Sequence, residues 1–406
     1  MTRTLPPLVA AALVIMSAAA RAQAGVQTEE GRVADVLQSA LAAHGAEVNR
    51  CFERALADTL DVSGTIELSV DVGDGGKVTK AVPARDEVNS PVLLACLQAS
   101  ALTWTFAGID PGSTVVVPLA FEGQAAQFTI KVADAPDHGP PAPPAGKHHG
   151  GAAPPVPPFS VKLLVDEATV HAQKAALAQL TVAPANRIAL HRHPGAEVLY
   201  VLHGHARVLG GAGVAPEKLD EGMAVYIPAS MPHAIENMGR QSAAVLLELF
   251  VPPGPEKVYR DPKDPAGRAA FEVIHDPKAA SPPGAKFVVA GPGGPSTPVF
   301  GGKAKATPLL DPARTGTHAF YLGRLEAEPG VQVPRNSHAG SDEIVFVAAG
   351  AGELTVGSEK FPFEAPEALY IPAGQPHAAK FTGTDKAELV QIFAPAGPED
   401  RSKGQP

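Results

Sequence analysis

Apolar and polar positions follow three successive patterns along the chain. Residues 33–56 (VADVLQSALAAHGAEVNRCFERAL) carry apolar side chains at helical spacing. Residues 64–72 (GTIELSVDV) alternate like a half-buried strand; Asp74-Gly75-Gly76 then supplies a turn and residues 77–83 (KVTKAVP) return, which predicts a hairpin. A second helical stretch at 90–104 (SPVLLACLQASALTW) and a closing strand within 114–123 (TVVVPLAFEG) complete a small α+β unit, placed at 33–132. Residues 133–158 (ADAPDHGPPAPPAGKHHGGAAPPVPP) have no periodicity and read as a semi-rigid linker. Its His138, His148 and His149 either bind a metal ion loosely or are simply solvated.

Beyond residue 159 the pattern changes to short β-branched or aromatic runs, such as AEVLYVLHG, GMAVYIP and SAAVLLELFVP, punctuated by Gly and Pro. These runs form an internal repeat. Tyr226-Ile-Pro-Ala-Ser-Met-Pro-His233 recurs as Tyr370-Ile-Pro-Ala-Gly-Gln-Pro-His377, and Phe250-Val-Pro-Pro-Gly-Pro-Glu256 as Phe393-Ala-Pro-Ala-Gly-Pro-Glu399. A period of about 144 residues gives each copy room for one β-barrel domain, placed at 159–275 and 276–400. The fold expected is therefore mainly β: two jelly-roll barrels in tandem, preceded by the α+β unit and a Pro-rich linker.

Composition agrees, with 42 Pro and 40 Gly in 406 residues. A net charge of −9 with no basic cluster argues against a nucleic-acid partner. Residues 1–22 read as a signal peptide: Arg3, an apolar run from Leu8 to Ala20, and Ala20-Arg21-Ala22 as a cleavage site. The alternative, an uncleaved anchor, requires a longer run. No later segment is long and apolar enough to span a bilayer, so a periplasmic or secreted location is expected. The two cysteines, Cys51 and Cys96, would close into a disulfide in such a compartment, or else remain buried thiols.

The candidate chemistry lies in the repeat. His191 and His193 stand two apart in a strand and share a face, Pro194-Gly195 breaks that strand, and Glu197 opens the next. His233 follows beyond the turn at Pro228 and Pro232. Three imidazoles and one carboxylate converging inside a barrel suit a divalent transition metal: Mn, Fe, Ni, Cu or Zn. In the second copy Asn336 aligns with His191, while His338, Glu343 and His377 match the remaining ligands. That leaves either a three-ligand site or a half retained for packing. Two further candidates for a catalytic role are Arg187 and Glu248. Arg187, four residues before His191, is placed by alternation on the inward face or else on a solvated rim. Glu248, within VLLELFV, is either a barrel-lining base or partner of the ligands, or an edge-strand carboxylate facing water.

Residues 159–400 resemble a bicupin: the first cupin motif appears as HRHPGAEVLYVLHG and the second as GMAVYIPASMPHAIEN, with Ser230 where that family usually has glycine. The resemblance implies a metal-binding jelly roll. It implies oxygenase, decarboxylase or isomerase chemistry on a small carboxylate, hydroxy or phenolic compound, or else non-catalytic ligand binding. The front unit resembles the TonB C-terminal domain family through GTIELSVDVGDGGKV, LLACLQASALTWTF and GSTVVVPLAFEG. This second resemblance implies an envelope protein as partner.

Overall fold

A computed structural model describes residues 64–121, 128–140, 157–357 and 359–399, together with positions 36, 43–45, 47, 48, 50–52, 54, 55 and 62. The expected signal peptide lies outside the described residues. The chain divides into two compact units, Met1–Ala126 and Gln127–Pro406.

The first unit is built on a three-stranded antiparallel sheet with Gly64–Val72 in the middle, flanked by Val78–Asp86 and Thr114–Phe121. Alternation sends Ile66, Leu68, Val70 and Val72 to the buried face, where they join Leu93, Leu97 and Ala101 of the helix Pro91–Ala101. Ser90 starts that helix: its Oγ accepts from Leu93 N at 3.3 Å, and Pro91, which has no N–H to satisfy, takes the first turn. Cys51, among helical residues, is joined to Cys96 by the expected disulfide.

The second unit holds both barrels. In the first, a seven-stranded sheet centred on Ala196–His203 and Ala244–Val251 faces a five-stranded sheet that includes His205–Gly210, His233–Asn237 and Arg187–Arg192. The second barrel repeats this with a seven-stranded sheet around Asp342–Ala349 and Ala387–Ala394 and a four-stranded one around Gln332–Asn336 and His377–Phe381. Along Ala244–Val251, Ala244 and Leu246 point into the first barrel, while Leu247 and Leu249 point to a core shared with Phe320, Phe346 and Ile392 of the second. The two large sheets thus pack back to back, which explains why both strands of each pair read as nearly continuous apolar runs.

The boundaries differ from those read in the sequence. Thr129–Lys131 pairs with Glu367–Ile371 in the second barrel's sheet, and Asp137–His138 pairs with Phe159–Val165 in the first. Val288–Ala290, beyond residue 276, pairs with Ala224–Ile227 and extends the first barrel. Edge strands of two or three residues carry too little periodicity to be read from sequence. Among the described residues no helix is long and apolar enough to cross a membrane.

Candidate metal centre

His191, His193, Glu197 and His233 come together inside the first barrel, with one donor atom of each within 4.8 Å of the others. All four are buried, at 0 to 3% exposure. His191 and His233 are direct cross-strand partners on the five-stranded sheet, and Glu197 enters from the seven-stranded sheet opposite Ile227 and Phe250. The turn between motifs is fixed by Ser230, whose N–H donates to His193 O at 2.8 Å from a left-handed backbone (φ 60°).

Each imidazole is oriented the same way. His191 Nδ1 lies 2.8 Å from Ala189 O, His193 Nδ1 2.9 Å from Gly195 O, and His233 Nδ1 2.8 Å from Met231 O. A carbonyl has no proton to give, so every Nδ1 carries one, and every Nε2 presents a lone pair inward whenever its ring is neutral. Glu197 Oε2 lies 2.9 Å from His193 Nε2 and 2.7 Å from His233 Nε2. His191 Nε2 is buried without a hydrogen-bond partner. A cation among these atoms would satisfy all of them at once, so the donor set fits a divalent transition metal.

The electrostatics agree. Burial, followed by the neighbouring His233, lowers the His191 pKa to about 3, which keeps this ring neutral and able to ligate. Burial alone would raise the Glu197 pKa, but the charge of His233 and hydrogen bonds from both imidazoles hold it well below the ordinary range. For His193, burial acts downward and the Glu197 contact outweighs it, raising the pKa.

Glu248 stands beside this group. It is fully buried on a central strand, which excludes the water-facing alternative, and shares the inward face with Phe250. Burial, then the charge of the neighbouring Glu197, drives its pKa well above the ordinary carboxylate value. The Tyr259 hydroxyl donates to Glu248 Oε1 at 3.3 Å. Glu248 is therefore a neutral acid held between a phenol and a carboxylate.

Arg187 is not part of the site. Its side chain is 65% exposed and faces Glu236 at 3.9 Å. Between the His191–His233 pair and the Ile188–Ile235 pair, the strand Arg187–Arg192 carries one more residue than its partner. This bulge reverses the alternation, so Ile188 points inward and Arg187 outward.

In the second barrel His338, Glu343 and His377 form a three-residue group. Glu343 Oε2 lies 3.0 Å from His377 Nε2 and 3.3 Å from His338 Nε2, and Gln391 Nε2 donates to Glu343 Oε1 at 2.7 Å. His377 Nδ1 is tied to Gln375 O at 2.9 Å as in the first barrel, whereas His338 Nδ1 is buried without a partner. Asn336 pairs with His377 in register, but its amide donates to Pro334 O at 2.9 Å and stays outside the group.

Two residues at the first site gave no signal in the sequence. Phe271 stacks on His191, centroids 4.4 Å apart and planes at 12°, and Tyr259 lies 6.3 Å from Phe271. Both belong to the segment of short helices and loops between the strands Ala244–Val251 and Glu272–Val273, where no periodicity marks an inward position.

The model of the cupin domain matches residues 178–250 and 323–393, one stretch in each barrel. The chain is 32% identical over 98 residues to the tetracenomycin polyketide synthase protein TcmJ of Streptomyces glaucescens, which is 24% of this chain and 64% of that protein. It is 30% identical over 91 residues to the polyketide synthase CurC of Streptomyces cyaneus, 22% of this chain and 59% of that one. To protein SchB of Streptomyces halstedii it is 32% identical over 98 residues, covering 24% and 70% respectively. The chain thus spans less than two thirds of the length of the first two of these relatives. Among solved structures it is similar to oxalate decarboxylase from Bacillus subtilis, at a TM-score of 0.47 and 15% identity over 67% of this chain and 77% of that one. With two matching segments, one per jelly roll, the chain belongs to the cupin family and is a bicupin.

Proposed function

We propose that this bicupin is an exported metalloenzyme acting on a small carboxylate, hydroxy or phenolic compound at its first barrel. The observation that carries this reading is the common orientation of His191, His193 and His233. Each Nδ1–H is committed to a backbone carbonyl, so that the three Nε2 atoms face one carboxylate. A divalent transition metal held by these residues and Glu197 would polarise a carbonyl, acidify a hydroxyl or pass electrons. The protein's own contribution is to fix the ligands, to keep water out by burial, and to hold a proton on Glu248 beside Glu197. His338, Glu343 and His377 are assigned a weaker three-ligand site. Similarity to two proteins named for polyketide synthases supports the hydroxy or phenolic part of the substrate range.

The Cys51–Cys96 disulfide supports an oxidising compartment, periplasmic or extracellular. The front unit is assigned contact with an envelope protein, a role that rests on its sequence resemblance. A second reading, a non-catalytic ligand binder, is favoured by the near-complete burial of the first site.

Elemental analysis of the purified protein, paired with product searches on metal-replete samples, tests the proposal. The expected result is bound metal and turnover, both lost in His233→Ala. Bound metal with no turnover and no exchangeable water would leave the binder in its place.

A further inference from the structure

A segment between two barrel strands runs beside the first site. After Ala244–Val251 the chain makes two short helices, Lys257–Arg260 and Pro265–Ala270, then returns as the two-residue strand Glu272–Val273 beside Arg192 and His191. The first helix is fastened to the barrel by Lys257–Glu167 at 2.7 Å and Arg260–Asp166 at 2.6 Å. The return is held more weakly, by Ile274 N donating to Leu190 O at 2.8 Å and by the exposed pair Arg192–Glu272. Between the two lies Phe271, half-buried, its ring parallel to that of His191.

Among the described rings in contact with the ligand imidazoles, Phe250 sits on a barrel strand and meets His193 edge-on at 5.5 Å. Phe271 alone is supplied from outside the barrel strands. A ligand ring that lies against this face of His191 must take the place of Phe271. A small aliphatic acid would then leave the imidazole face bare. A flat aromatic ring carrying an oxygen donor would restore the lost stacking, and the exchange would cost little.

We infer that Phe271 stands in the seat of a substrate ring, and that the first site takes phenols, catechols or aromatic carboxylates, stacked on His191, in preference to aliphatic acids. This inference rests on the metalloenzyme reading and narrows its substrate class.

The test uses the full chain in a His377→Ala background loaded with Co(II), so that visible absorption reports the first site. Benzoate is expected to perturb the cobalt bands at concentrations about tenfold below those needed for acetate. Phe271→Ala should tighten both ligands about tenfold, because nothing then has to be displaced. Phe271→Val, which also removes the stacked ring and most of its bulk, carries the same test if the alanine variant does not fold. Equal binding of benzoate and acetate, or variants with unchanged affinity for both, would overturn the inference alone. Cobalt absorption indifferent to His233→Ala would overturn the metal reading and this inference together.

Discussion

Glu248 and Gln391 hold the same place in the two barrels, each one strand pairing away from a ligand carboxylate: Glu248 opposite Leu199 beside Glu197, Gln391 opposite Val345 beside Glu343. Gln391 fixes Glu343 by donating from its amide at 2.7 Å, whereas Glu248 stands beside Glu197 with a raised pKa, as an acid whose proton can serve the same purpose. Glu248→Gln should therefore keep the first site intact, because an amide supplies the same donor. Glu248→Ala, which leaves Glu197 without that partner, should weaken metal affinity by about 10- to 100-fold. Chelator competition on the two variants would measure the difference; equal loss in both would mean the contact does not position Glu197.

Asn336 occupies the strand position opposite His377 that His191 occupies opposite His233. Asn336→His should complete a four-ligand set in the second barrel and raise its metal affinity. Elemental analysis after dialysis would then rise from about one metal per chain toward two. No rise would show that the strand Gln332–Asn336 is set too far from Glu343.

Ser230 adopts φ 60° and Gly374, its repeat partner, φ 81°. A side chain in the left-handed region costs about 1 kcal/mol, so Ser230→Gly should stabilise the protein by roughly that amount. A urea titration reads this directly, and a destabilised variant would mean that the serine side chain contributes something its hydrogen bonds do not reveal.

Acidification should destabilise the metal-free second barrel. Burial would raise the Glu343 pKa, but hydrogen bonds from His338 and His377 bring it from 4.5 down to about 2. A depressed folded pKa means that the ionised carboxylate stabilises the fold above pH 4.5, and that this contribution is lost as pH falls toward 2. His377 works the other way. Burial acts downward, the Glu343 contact outweighs it, and the raised pKa gives stability below 6.5 that disappears as pH climbs through the folded value. Melting curves taken in chelator across this range should bend at both ends, and Glu343→Gln should flatten them.

The Cys51–Cys96 link closes a loop with a sequence separation of 45 residues. Replacing both cysteines with alanine should cost the front unit about 4 kcal/mol through the freed chain entropy. Trp104, buried in that unit and the chain's one tryptophan, reports its unfolding by fluorescence. A transition unmoved by the double substitution would mean that the linked helices stay docked without the bond.

Chemistry that repeats or alternates could be read from the chain alone. Two copies of a histidine-bearing motif dictated two barrels, and the spacing from His191 through Glu197 to His233 dictated one ligand set, because strand alternation and a tight turn are local properties. The cysteine pair was legible for a similar reason: only one partner existed. What tertiary structure decided were features set across strands. A single bulge reversed the alternation and turned Arg187 out to solvent, an event that leaves no mark in a six-residue strand. Closure of the first barrel over the inward face of Ala244–Val251 buried Glu248, and its place beside Glu197 and Tyr259 joins three elements distant in sequence. Phe271 reaches His191 only because a short irregular segment folds back along the barrel edge, a path fixed by long-range contacts and not by any local pattern.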